Sequence, residues 1–245
     1  VTGVDFAEGS ALKDIGDFAF YGCSRLSSLN LPEGLTTIGK RTFEGCKSLT
    51  SVSLPNTLES VSYECFNSCF ALEKAIIGDG TKRIEDLAFV SCTSLKEVVF
   101  GENSQLEYIG KWAFNACTSL SSFLMPKGVK EMGEAPFENC DKLETLRLSG
   151  ALTSLPDEFF ANNKSIKKVT WTSNSTIKSI PFWAFTNCES LETVEIPASV
   201  TSIGENAFAG CSNLKSINLP ANLTSIAYEA FAWSGLTEVT LPDNL

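Results

Sequence analysis

The stretch Leu35-Thr-Thr-Ile38-Gly39-Lys-Arg-Thr42-Phe43-Glu-Gly45-Cys46-Lys-Ser-Leu49-Thr-Ser-Val52-Ser-Leu54-Pro55 recurs, with substitutions, ten times along the 245-residue chain. Its aromatic falls at Phe20, Phe43, Phe66, Phe89, Phe114, Phe137, Phe160, Phe185, Phe208 and Phe231, in steps of 23 residues except for two of 25. A period this regular means one small unit stacked many times, which is a solenoid. We read residues 1–245 as a single array: a partial repeat over 1–11, ten repeats over 12–242, and the start of another to 245.

Within one unit, Leu49-x-x-Val52-x-Leu54 is the core of a leucine-rich repeat. Val52 and Leu54 alternate with Ser51 and Ser53, the period of a strand with one face buried. Pro55 ends it, having no N–H for the ladder. Leu35 and Ile38 predict a short second strand, and Thr42 to Gly45 allow one helical turn at most. The expected fold is a leucine-rich-repeat solenoid. It has a parallel sheet on one face and short second strands with 3-10 turns on the other. Eight side chains should point inward: Leu35, Ile38, Thr42, Phe43, Cys46, Leu49, Val52 and Leu54. Burying one Phe contributes roughly 1.5–3 kcal/mol, but a lone coil has nothing to bury it against. Stacking supplies the missing wall.

Two seats read differently. The residue before the cysteine is Gly22, Gly45, Asn139, Asn162, Asn187 or Gly210, which suits φ > 0; Ser91, Ala116 and Trp233 in that seat show that glycine is not required. The residue after Ile38 is often glycine, but Pro156 and Pro181 also fill it, so there the glycine answers to space or flexibility, not to positive φ.

The 25-residue steps follow Val98-Val-Phe100-Gly-Glu-Asn-Ser104 and Val169-Thr-Trp171-Thr-Ser-Asn-Ser175. In each, an aromatic replaces leucine, no proline follows, and two residues are added. These insertions should bulge along one edge. Val4-Asp-Phe6-Ala-Glu-Gly-Ser10 carries the same signature, so the first residues read as the tail of another coil. The chain opens at Val1 and shows no polar cap at either end, so the array is expected to continue beyond it.

The net charge is −10, against a nucleic-acid partner or insertion at an anionic membrane surface. No apolar run approaches a membrane span. The absence of histidine excludes His-based triads and His-ligated metal sites. No phosphate loop or nucleophile elbow occurs, so we expect no enzyme, no cofactor and no metal. Eight of nine cysteines share one seat: Cys23, Cys46, Cys69, Cys92, Cys117, Cys140, Cys188 and Cys211. They form either a column of reduced, buried thiols or a bridged framework. Asn163 and Ser234 in the same seat favour the first. Three sequons, at Asn163, Asn174 and Asn222, matter only in a glycosylating host.

The unit Val200-Thr-Ser-Ile203-Gly204-Glu-Asn-Ala207-Phe208-Ala-Gly210-Cys211-Ser-Asn-Leu214-Lys-Ser-Ile217-Asn-Leu219-Pro220 closely resembles the BspA-like leucine-rich repeat family, and the resemblance covers essentially the whole chain. Departures are Phe159 with Asn163, Pro136, and Trp233-Ser234. The resemblance implies an extracellular or surface-attached bacterial protein. Some members are similar to adhesins for matrix proteins such as fibronectin or fibrinogen. The family has no catalytic residues to carry over.

The outward seats of the sheet form two rows, mostly Ser, Thr and Asn. Three apolar seats are consecutive: Ile76, Val99 and Leu124. With Lys74, Glu97, Ser122, Arg147 and Lys168 they make a candidate protein-binding patch on repeats three to six. The plain alternative is that aliphatic residues suit a sheet. Carbohydrate binding or a passive surface-spacer role are the other functional readings. Phe18, Leu87, Trp112 and Trp183 share a further seat, either contacting sugar or protein or covering gaps between coils.

Overall fold

The structure, a computed structural model, describes residues 1–7, 9–172 and 175–245. Glu8, Ser173 and Asn174, and with them the Asn174 sequon and parts of two insertion signatures, lie outside the described residues.

About ten turns of chain stack without a helix among the described residues. A turn runs from a second strand, through an arc, to a main strand, although coil seven lacks the second strand and coils nine and ten lack the main one. The main strands are β1 (Gly3–Val4), β3 (Ser28–Leu29), β5 (Ser51–Ser53), β7 (Lys74–Ile77), β9 (Glu97–Phe100), β11 (Ser122–Leu124), β13 (Thr145–Leu148), β14 (Lys168–Trp171) and β16 (Thr193–Val194). The second strands are β2 (Asp14–Ile15), β4 (Thr37–Ile38), β6 (Ser60–Val61), β8 (Arg83–Ile84), β10 (Tyr108–Ile109), β12 (Glu131–Met132), β15 (Ser179–Ile180), β17 (Ser202–Ile203) and β18 (Ser225–Ile226). All pairings are parallel, in the register that the repeat demands, such as Val52 with Ala75 and Ile38 with Ile15. Where a proline ends the main strand, its carbonyl closes the turn, as Pro55 O does for the Leu58 N–H at 3.1 Å.

All eight side chains expected inside the second coil are buried. The phenylalanines form one file of near-parallel rings, with centroids 5.4 Å apart from Phe20 to Phe43 and 5.3 Å apart from Phe89 to Phe114. Beside them the nine cysteines are unbridged. From Cys46 onward, each thiol of the shared seat donates to the phenylalanine carbonyl of the preceding coil, for example Cys92 Sγ to Phe66 O at 3.2 Å. Asn163, in the cysteine seat of coil seven, differs: its amide donates within its own coil, to Phe160 O at 3.2 Å. Asn163 is thereby buried and cannot serve as a glycan acceptor; Asn222 is exposed.

The arc holds more order than one turn. Isolated three-residue turns, such as Cys46 N–H to Phe43 O, alternate with left-handed residues. The seat before the cysteine has positive φ in every coil, Ser91 at 60° and Trp233 at 51° included. So does the seat two residues before the phenylalanine, from Phe18 at 58° to Glu229 at 50°. The alternation turns the N–H groups of Arg41, Phe43 and Gly45 toward the next coil, onto the carbonyls of Tyr63, Cys65 and Asn67. This third ladder offsets the cost of left-handed geometry, roughly 1–2 kcal/mol for each non-glycine residue. Gly39 sits after the second strand because a Cβ there would lie 2.3 Å from Asp17 N.

Candidate functional site

The three apolar outward residues lie in one row. Ile76 on β7 pairs with Val99 on β9, and Leu124 on β11 pairs with Arg147 on β13. Ile76 is 38% and Leu124 60% exposed, while Val99 is half-buried. In the neighbouring row, Lys74 and Glu97 pair with each other at 2.8 Å, followed by exposed Ser122, then Thr145, then exposed Lys168 on β14. The structure therefore brings all eight candidate residues onto one stretch of sheet. Among the described residues, Arg147 and Lys168 have no ion partner, and they are the outward cations of the sheet not neutralised by a carboxylate.

At the middle of this stretch the sheet is split. No ladder joins β9 to β11, although β5, β7 and β9 form one sheet and β11, β13, β14 and β16 another. A like break separates β3 from β5; at β9–β11 it coincides with two large rings on the inner face. Phe100 replaces the leucine of other coils, and Phe123 stands where they carry Val52, Ala75 or Val169. The Phe123 ring is 5.2 Å from Phe114, 4.7 Å from Phe137 and 5.7 Å from Phe100. The arc cannot spread, because Phe89 and Phe114 remain stacked at 5.3 Å. The extra volume is accommodated on the sheet side, since a close-packed interior has no slack. A crevice of about 230 Å³ opens between the strands, lined by apolar Val98, Val99, Phe100 and Leu124 and by polar Lys96, Glu97 and Ser122. Val98 and Phe100, inward by the repeat pattern, are only half-buried. Sequence reasoning found the strip but missed the crevice; the signal was two aromatics in consecutive coils at seats meant for smaller residues.

The first insertion lies where length is tolerated. Gly101, Glu102 and Asn103 are exposed at the end of β9. With Met125, Lys127, Arg147 and Thr172 they enclose a bay of about 550 Å³ beside the strip.

The seat of Phe18, Leu87, Trp112 and Trp183 lies on the arc, away from the sheet face. Its aromatics are engaged locally: Arg41 sits 6.0 Å over Phe18, Lys111 4.2 Å over Trp112, and Phe182 stacks on Trp183 at 4.8 Å. One polar cluster also belongs to the arc. Arg41 Nε lies 2.9 Å from Glu64 and 3.5 Å from Glu44. Burial pushes Glu64 up, but hydrogen bonds from Tyr63, Arg41 and Asn67 outweigh it and hold the carboxyl below its usual range. Glu44 is pushed up by burial and by the charge of Glu64, and its Oε2 has no hydrogen-bond partner. Burial likewise raises the thiols, Cys46 to about 12. Among the described residues, no group of three or more Cys, Asp or Glu is placed to hold a metal, and no helix is long and apolar enough to cross a membrane.

The model of the BspA type leucine rich repeat region matches six copies, over residues 13–144, 103–179 and 137–245. The chain belongs to the BspA-type leucine-rich repeat family. This BspA-type array is similar to a leucine-rich repeat protein of Bacteroides ovatus at 26% identity and TM-score 0.70, over 100% of this chain and 74% of that one. A leucine-rich repeat protein of Eubacterium ventriosum shares the fold at 15% identity and TM-score 0.58, over 96% and 78%. So does a leucine rich cell surface protein of Faecalibacterium prausnitzii, at 24% and 0.53, over 95% and 71%. A search of curated proteins gives no match. BspA-type arrays are binding or repeat modules, and no enzyme family is indicated.

Proposed function

We propose that this array is a non-catalytic binding module of a bacterial cell surface, and that it holds a protein partner on the main sheet between repeats three and six. The observation carrying the reading is the row Ile76, Val99 and Leu124, which continues into the crevice between β9 and β11. Here the row borders an opening into half-buried Val98 and Phe100, the kind of cleft that accepts an anchoring side chain. Family membership and the name of the surface-protein neighbour support surface display.

The test is surface plasmon resonance against purified fibronectin and fibrinogen. It compares the parent, the triple variant Ile76→Ser, Val99→Ser, Leu124→Ser, and a control with Thr193, Ser216 and Asn218 changed to Ala on the same face. The triple variant should lose at least about tenfold in affinity at unchanged melting temperature, and the control nothing. Equal loss in both, or in neither, removes the patch from consideration.

A further inference from the structure

Resting on that reading, we infer that the partner presents an extended acidic peptide segment, with an apolar residue followed at every second position by carboxylates. The row that carries Ile76, Val99 and Leu124 continues directly into Arg147, since Leu124 and Arg147 are register partners. Lys168 lies one strand further on and one row over, opposite Thr145. On a molecule of net charge −10, these two outward cations have no ion partner among the described residues, whereas Lys74 is neutralised by Glu97 at 2.8 Å. Lys127, also without an ion partner among the described residues, lines the adjoining bay together with Arg147; Glu102 stands on the bay's insertion wall.

The spacing selects the ligand. Parallel strands lie about 4.8 Å apart, so a side chain seated in the crevice between β9 and β11 is about 7 Å from β13 and about 12 Å from β14. In an extended chain, side chains on one face repeat about every 6.6 Å. A segment lying along the row with an apolar residue in the crevice places its second-next residue over Arg147. The one two further on comes within reach of the Lys168 stem. A guanidinium takes a carboxylate bidentately, and the two charges reject a partner of the same sign. Polar, uncharged flanking seats, Ser122 and Thr145, leave room for the backbone of such a segment.

The test is fluorescence anisotropy on the full 245-residue chain with labelled peptides of sequence Leu-Ser-Leu-Ser-Glu-Ser-Glu, its reversed sequence, and the Gln-for-Glu version of each. We expect the better acidic peptide to bind about tenfold more tightly than its Gln version at low salt, with the advantage shrinking as salt rises. Arg147→Ser with Lys168→Ser should abolish that advantage, bringing the acidic peptide to the affinity of its Gln version. Both substitutions are on exposed side chains, so folding is not at stake. Equal binding of acidic and Gln peptides refutes the acidic segment while leaving the apolar patch standing. An acidic advantage that survives the double variant refutes the assignment to Arg147 and Lys168. Tighter binding of a sulfated glycan than of either peptide, lost in the same double variant, replaces the peptide by a polysaccharide. Absence of binding by all four peptides overturns the inference, and the matrix-protein experiment above then decides the broader reading separately.

Discussion

Removing one ring from the middle of the file should cost far more than removing one at its end. Phe114 is fully buried. It stacks on Phe89 at 5.3 Å and on Phe137 at 5.6 Å, and meets Phe123 at 5.2 Å. Phe231 is half-buried and stacks only on Phe208, at 5.4 Å, among the described residues. Truncating a buried Phe to Ala costs about 3–5 kcal/mol, a transfer loss plus a cavity. Aromatic pairs add about 0.5–1.5 kcal/mol each beyond burial. Phe114→Ala, losing three pairs in a site that two rigid coils hold open, belongs near 5 kcal/mol. Phe231→Ala, losing one pair and leaving no closed cavity, belongs near 1–2 kcal/mol. Urea unfolding of the 245-residue chain, followed by tryptophan fluorescence, reads both differences. Stacked arrays are nearly one-dimensional, so the loss at Phe114 should also broaden the transition by uncoupling the halves. A cost under about 1 kcal/mol at Phe114, or equal costs at both sites, would falsify the nearest-neighbour account of this core.

Other expectations follow from particular residues. The buried thiols stay neutral in the fold, Cys46 to about pH 12. In the unfolded chain they ionise near pH 8.5. A folded pKa raised above the unfolded one gives stability that is complete below pH 8.5 and lost as pH rises, by up to about 1.4 kcal/mol per pH unit for each thiol. The urea midpoint should therefore fall steeply between about pH 8.5 and 11, and a flat profile would show the column is not buried. A thiol titration in denaturant should find all nine free, and near-zero free thiols would mean bridges instead. Glu44→Gln should stabilise by a few tenths to about 1 kcal/mol, because it removes a charge facing Glu64 and supplies a donor; destabilisation would show that Arg41 depends on both carboxylates. Ala135, at φ 45°, should gain about 0.5–1 kcal/mol on replacement by Gly, read as a raised melting temperature, where a loss would contradict the left-handed arc.

Much of the fold was legible because each seat repeats ten times, so noise at one coil is averaged by the others. The inward eight of the second coil, the parallel register and the edge insertion at Gly101 all follow from period and alternation. The left-handed seat at Phe18, Arg41 and Glu64 was not legible, because none of its residues is glycine and only the inter-coil ladder explains why the strain is tolerated. Coil seven was legible only as a departure. Phe159 packs edge-on against Phe160 at 4.4 Å, and the ring file loosens there to 6.0 and 6.1 Å. No second strand forms at 153–155. The candidate patch was visible as three apolar letters in an outward row. The crevice beside it was not, because it depends on how Phe100 and Phe123 share one volume, and an alternation pattern carries no volumes.

Solvent paramagnetic relaxation, recorded on side-chain methyl and aromatic protons with a soluble gadolinium chelate, tests fold and face together. The rings of Phe43, Phe66 and Phe89 should be untouched, the methyls of Ile76 and Leu124 strongly relaxed, and those of Val98 and Val99 relaxed to an intermediate degree. Relaxed rings, or Leu124 methyls as silent as those of Leu49, would contradict it.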